Sequence, residues 1–263
     1  MRIYWQSFID RATNGAYFDR LSNYLNGIAA PGTVVEVFGM SPPDLDIGRL
    51  SEFRCSVLAV DNGLRAEEQG YDAVVIGHFQ DPGVYELRSA LEIPVIGTGE
   101  VTMHSGLQLG RRLGLVTLDP GYEVWHLEQA GRYGMASRIA GVAGLGLRPG
   151  DFVDAFAGDV EAEARMLADF ERCAASLIAR GADVILPAGV LPGLLLANHP
   201  RLKVGQAPVL NCASVALKSA EMWVQLRRID GVAPSRATSF GLAPERVRRQ
   251  FHDMIRHQLA AEA

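Results

Sequence analysis

His78 carries the strongest chemical signal in this 263-residue chain. It follows the apolar run Ala73-Val74-Val75-Ile76 and Gly77, and it opens the turn Phe79-Gln80-Asp81-Pro82-Gly83. An imidazole just beyond a buried strand can take or give a proton near neutral pH. The same placement suits a structural histidine bonded to a loop carbonyl, and the residues alone leave both readings open. Asp81 can orient that imidazole or act as a turn or cap residue ahead of Pro82. A second aspartate-led run, Asp183-Val184-Ile185-Leu186, ends in Pro187-Ala188-Gly189-Val190-Leu191-Pro192-Gly193. This second loop has no titratable side chain. Around Ala188, Gly189 and Val190 it offers backbone N–H groups, which either cradle a carboxylate or developing oxyanion or form a plain tight turn.

Short polar side chains stand at the ends of the other apolar runs: Gln6 and Ser7, Thr98 to Glu100, Thr117 and Asp119, and Asn211. Hydroxyls and amides there are candidates to hold a substrate carboxylate or amide. Phe79, with Tyr4 and Trp5, points either to an apolar part of a ligand or to core packing. Cys212 directly follows a strand, so it lines the cleft as a second proton carrier or is a buried, inert thiol. Cys55 and Cys173 are read as packing residues. His104 and Tyr122 are weaker candidates, and whether Glu100, His104 or Tyr122 reaches the cleft is left open. His126, His199, His252 and His257 show no metal-ligand spacing and are expected at the surface. Three scattered cysteines make neither a disulfide framework nor a structural zinc site. The stretch Gly141 to Gly150 lacks the strand–GxGxxG–helix order of a nucleotide loop.

The elements that must position these groups alternate along the chain. Val/Ile/Leu-rich runs at Thr33 to Phe38, Ser56 to Val60, Ala73 to Ile76, Leu113 to Leu118, Val184 to Leu186 and Val209 to Leu210 are expected as strands buried on both faces. Gly15 to Leu25, Val160 to Arg180, Ala213 to Arg227 and Pro244 to Gln258 carry apolar residues at helical spacing. The pattern also repeats. Arg2 and Leu113 begin matching runs 111 residues apart, Asp72 and Asp183 lead matching runs 111 apart, and Pro94 and Pro208 start matching strands 114 apart. The expected fold is α/β, with two pseudo-symmetric, doubly wound halves, mainly parallel sheets and a cleft between the halves at the strand carboxyl ends. Residues 1–110, with part of 227–263 packed back on them, make the first half; residues 111–226 make the second.

Composition narrows the partners. With 48% apolar and 21% charged residues the chain is globular, and its net charge of −5 is spread out, so no nucleic-acid partner is expected. The run Arg246 to Arg249 reads as a solvated helix face. No apolar stretch approaches the ~18 residues of a membrane span, and the N-terminus lacks signal-peptide regions. The expected setting is the cytoplasm, with a small-molecule substrate.

Several segments resemble the aspartate/glutamate/hydantoin racemase superfamily, and most of all its hydantoin- and allantoin-racemase branch. They are Asp72 to Gly83 (DAVVIGHFQDPG), Ile93 to Glu100 (IPVIGTGE), Gly110 to Leu118 (GRRLGLVTL), Gly181 to Gly193 (GADVILPAGVLPG) and Ala207 to Glu221. The resemblance implies two α/β halves around one site, no cofactor, and a homo-oligomer. It also implies a cysteine on each strand-end loop, one on either face of the substrate's stereocentre, because a carbon acid must lose its proton on one face and regain one on the other. Here His78 stands at the first cysteine's position and Gly189 at the second's. Glycine carries no proton, so symmetric two-base chemistry is unavailable unless Cys212 reaches across. The expected function is an isomerase- or racemase-type enzyme acting on a small carboxylate, amide or hydantoin-like molecule, with His78 as general acid or base. The alternatives are a hydrolase or lyase that uses His78 with an oxyanion cradle, and a non-catalytic small-molecule binding protein.

Overall fold

Two parallel sheets organise the chain in the computed structural model, which describes every residue except 198, 200–202 and 262–263. The first half runs β1 (Arg2–Gln6), α1 (Gly15–Ile28), β2 (Val34–Phe38), α2 (Arg49–Glu68), β3 (Ala73–Ile76), α3 (Val84–Arg88), β4 (Val95–Gly97) and α4 (Thr98–Gly106). The second runs β5 (Leu113–Thr117), α5 (Glu123–Arg132), β6 (Ile139–Gly144), α6 (Val153–Ala157), α7 (Val160–Ala179), β7 (Val184–Pro187) and α8 (Val190–Leu195). A short hairpin of β8 (Lys203–Val204) and β9 (Ala207–Pro208) follows, then α9 (Cys212–Asp230) and α10 (Glu245–Ala261).

The first sheet has the order β2-β1-β3-β4 and is parallel throughout. The second has the order β6-β5-β7, also parallel, and a parallel bridge from Ile185 to Val209 adds a fourth position. The strand order of one sheet therefore repeats in the other. The central strands β3, β5 and β7 are buried at every position, which explains their unbroken apolarity. Asp159 accepts from the Glu161 and Ala162 N–H groups at the start of α7, as expected of an N-cap ahead of acidic residues.

The halves exchange their closing helices. α9 packs on β3, β4 and α1 of the first sheet, while α4 of the first half packs on β7 of the second. One apolar cluster joins Ile3, Trp5, Phe18 and Leu21 to Leu194, Leu195, Ala216 and Leu217. The tail packs back as well. α10 lies on α2, Arg236 donates to the Arg88 and Leu91 carbonyls, and the Ala243 N–H donates to Ser89.

One expectation needs correction. Ser56 to Val60 is not a strand but the middle of α2, so Cys55 sits in that helix too. The buried positions Cys55, Ala59, Gly63 and Ala66 recur at helical spacing, and that longer period outweighs a five-residue apolar run. The glycine-rich stretch from Gly141 begins in β6, an outer strand of the second sheet.

Candidate functional site

The four central strand ends converge on one small cavity of about 70 Å³. Ser7, Phe8 and Ile9 follow β1, Gly77 to Gln80 follow β3, Thr117 and Leu118 end β5, and Ala188 to Leu191 follow β7. Asp44, Tyr17, Tyr122 and Pro149 complete the wall. Gly77 fits only as glycine, because a Cβ there would collide with the indole nitrogen of Trp5 and the Gln6 carbonyl. That close approach brings the His78 loop down onto the end of β1.

His78 is held on two sides. Its ring lies 4.7 Å from the Phe8 ring, and Nε2 stands 3.4 Å from Oδ2 of Asp44. Nδ1 is buried and has no partner among the described residues. Burial pushes the Asp44 carboxyl up, but His78, the Ser51 hydroxyl and Arg54 outweigh it and hold the group below its ordinary value. An ionised carboxylate facing Nε2 favours the tautomer with its proton there, leaving Nδ1 as the basic nitrogen. Asp81 does not orient His78. It caps α4 by accepting from the Gly99 and Glu100 N–H groups at 2.8 and 2.7 Å.

The facing loop brings no acid or base. The Val190 N–H has no backbone acceptor among the described residues, whereas the Gly189 N–H lies against the Cys212 sulfur. A Cβ on Gly189 would meet only the Pro192 ring, at 3.1 and 3.3 Å. Cys212 lies beneath this loop rather than on the cavity. It is fully buried, its thiol donates to the Gly189 carbonyl at 3.3 Å, and burial pushes it up to about 12. At neutral pH it is a thiol that packs and braces.

Of the polar candidates, Ser7 and Thr117 line the cavity with Phe79, Ala188, Gly189 and Val190. The Ser7 hydroxyl pairs with the Tyr17 hydroxyl at 3.1 Å. Gln6 turns away, donating to the Ser7 and Gly39 carbonyls and accepting from Asn62. Asn211 is spent on structure as well, as the N-cap of α9 that also donates to the Gly193 carbonyl. Tyr122 reaches the cavity. Glu100 and His104 instead face a separate crevice beside α9, where Glu100 pairs with Arg88.

His126 is the largest departure from expectation. It is fully buried rather than at the surface, with Nε2 2.9 Å from the Thr117 hydroxyl and Nδ1 3.3 Å from Oε1 of Gln129. Burial lowers it to about 4, so it is neutral at pH 7. The Gln129 amide nitrogen donates to the Phe79 carbonyl and, at 3.1 Å, to Asp81, which also accepts from the Tyr133 hydroxyl at 2.6 Å. Burial pushes Asp81 up to about 6. His252 is half-buried against Asp61, His199 faces Glu163, and the His257 side chain lies outside the described residues. Asp44 gives no signal in the sequence because it stands well past the end of β2, behind Pro42 and Pro43, rather than directly at a strand end. The i, i+3 pair His126 and Gln129 was the available signal for the buried network, since it puts two polar groups on one helix face.

A family model described as Asp/Glu/Hydantoin racemase matches residues 8–220. An allantoin racemase from Klebsiella pneumoniae superimposes with a TM-score of 0.77 at 25% identity, over 93% of this chain and 94% of that one. An allantoin racemase from Pseudomonas fluorescens gives 0.72 at 20% identity, over 93% and 98%, a likeness of fold. In sequence, 78 residues are 31% identical to a hydantoin racemase of Pseudomonas sp. (strain NS671). That match takes in 30% of this chain and 31% of the relative, so the chain spans about a third of the length of the curated protein it matches. Among the described residues, no helix is long and apolar enough to cross a membrane.

Proposed function

We propose, for a chain that belongs to the Asp/Glu/hydantoin racemase family, that it moves a proton on one face of a small substrate held between the two strand-end loops. His78 is the proton carrier, Asp44 fixes its tautomer, and the Val190 N–H, without a backbone acceptor among the described residues, receives an anionic or carbonyl oxygen. The observation that carries this reading is the His78 ring itself: Nε2 faces a carboxylate while buried Nδ1 lacks a partner among the described residues. A positioned general base contributes ~10²–10⁴-fold and a single oxyanion donor ~10²–10³-fold, so the pair supports turnover without a second acid. The family favours isomerase or racemase-type chemistry on a carboxylate, amide or hydantoin-like substrate.

A second reading follows from the asymmetry of the loops. With His78 on one side and Gly189 on the other, the same base can activate water, giving hydrolysis of a small amide or imide ring. A catalytically silent binding protein is the remaining outcome. Turnover of a panel of hydantoins, ureido acids and dicarboxylates, followed before and after His78→Gln, separates the three. Loss of ~10²–10⁴-fold in kcat with unchanged melting supports the catalytic role; retained turnover removes His78, and binding without turnover in the parent leaves the binding protein. A homo-oligomer in the cytoplasm, with halves at 1–110 and 111–226, belongs to the same proposal, and light scattering on the purified chain measures its assembly state.

A further inference from the structure

The loop that carries Asp44 to His78 runs from Gly39 to Gly48, between β2 and α2. Its middle cannot hold itself. Pro42 and Pro43 have no N–H to donate, and the backbone bonds on either side run from the Met40 N–H to the Ile9 carbonyl and from the Asp44 N–H to the Phe8 carbonyl. The Pro42 and Pro43 carbonyls instead accept from the two terminal nitrogens of one guanidinium, Arg54, at 2.7 and 2.8 Å. Three residues earlier on α2, the Ser51 hydroxyl donates to Oδ1 of Asp44 at 2.9 Å, which leaves Oδ2 for Nε2 of His78. Residues three apart share a helix face, so one side of α2 presents both groups to the loop. Neither of them lines the cavity.

We infer that Arg54 is a positioning residue for His78: its fork grips the two proline carbonyls and sets Asp44 where the carboxylate selects the imidazole tautomer, while Ser51 fixes the rotation of that carboxylate. The inference rests on the reading of His78 as the proton carrier, and it extends the site outward to a helix face away from the cavity. The task suits arginine. Carbonyls of two consecutive residues call for two donors at a fixed spacing, which a planar guanidinium supplies and the compact ammonium of lysine does not. The charge has a lesser effect. Burial works against an ionised Asp44, and Arg54 joins His78 and Ser51 in offsetting it. The Arg54 hydrogen bonds themselves go to neutral carbonyls, so they act on where the loop lies.

Nitrogen-15 NMR of His78 at about pH 8.5, where an ordinary imidazole is neutral, reads the tautomer on the intact chain. The parent should hold its proton on Nε2. Arg54→Lys keeps the charge and the helix, so it should unfold as the parent does. Its His78 ring should nevertheless divide between the two tautomers, with kcat down ~10-fold and KM little changed. Ser51→Ala, which removes only the hydroxyl on Asp44, should move the ring the same way by less. Asp44→Asn combined with Arg54→Lys should match Asp44→Asn alone, because a residue acting through Asp44 adds nothing once that carboxylate is gone. A ring still protonated wholly on Nε2 in Arg54→Lys, or losses in kcat that multiply in the double variant, overturns the inference. A divided ring with turnover unchanged leaves the clamp standing and sinks His78 as the base. Turnover that depends on His78 while the ring ignores Arg54 sinks the inference alone.

Discussion

An imidazole works as a base when one nitrogen is committed and the other is left without a partner; in His78, Nε2 faces Asp44 and the buried Nδ1 has no partner among the described residues. Replacing Asp44 with Asn keeps the shape but removes the charge that selects the tautomer. We expect Asp44→Asn to lower kcat by ~10²-fold or more with little change in melting temperature, read by steady-state kinetics and thermal unfolding. The bare opposite loop gives a second test. A side chain at Gly189 need only displace the Pro192 ring slightly, so Gly189→Cys should fold and place a thiol across from His78. It should add racemisation of a single enantiomer, together with a new sensitivity to alkylation, both absent from the parent. Parent activity should withstand thiol reagents, because Cys212 is buried and held as a thiol. His78, Thr117 and Gly189 were legible in the sequence because each ends a recognisable strand. Asp44 was not, because what brings it to His78 is the path of a proline-rich loop rather than any pattern in the chain.

Between the elements, the buried Asp81 staples the His78 loop to α4 and α5. Gly99 permits it, since a Cβ there would strike the Phe79 carbonyl and the Gln129 amide. Burial shifts Asp81 and His126 in opposite directions, with opposite effects on stability. Burial lowers His126 to about 4, so the stability it contributes is present above its ordinary value and is lost as pH falls through about 4. Burial raises Asp81 to about 6, so its contribution is present at low pH and is lost as pH rises through about 6. Between pH 4 and 6 the two slopes oppose. Asp81→Asn leaves the His126 slope alone, so that variant should lose stability faster than the parent on acidification from pH 6.5 to 4. Urea midpoints at both ends of that range measure it, and parallel curves would contradict it. Strand–helix alternation was legible at this scale wherever the apolar runs were flanked by turn residues. Ser56 to Val60 misled because a short apolar run inside a helix has no period of its own.

Across the whole molecule, the apolar runs repeated at near-constant spacing predicted two α/β halves, while the exchange of α4 and α9 lay beyond any local pattern. Helix faces record that a residue is buried, not which sheet buries it. Because Ile3 and Trp5 of one half share a cluster with Leu194 and Leu217 from the other, the halves should not melt separately. A single calorimetric transition is expected. Leu217→Ala should lower the stability of the whole by ~2–5 kcal/mol, the usual cost of emptying a fully buried leucine site. Two resolved transitions would show that the shared core does not couple the halves. The fold repeats from one half to the other, but the loops it brings together do not: one supplies an imidazole and the other only backbone.

That asymmetry is tested most directly by following hydrogen–deuterium exchange at the α-carbon of each separate enantiomer of a turned-over ligand, in heavy water, by proton NMR. Exchange of one enantiomer with retention of configuration is expected, insensitive to thiol reagents and abolished by His78→Gln. Equal exchange of both enantiomers with racemisation, or exchange that survives His78→Gln, would contradict one-sided proton transfer by His78.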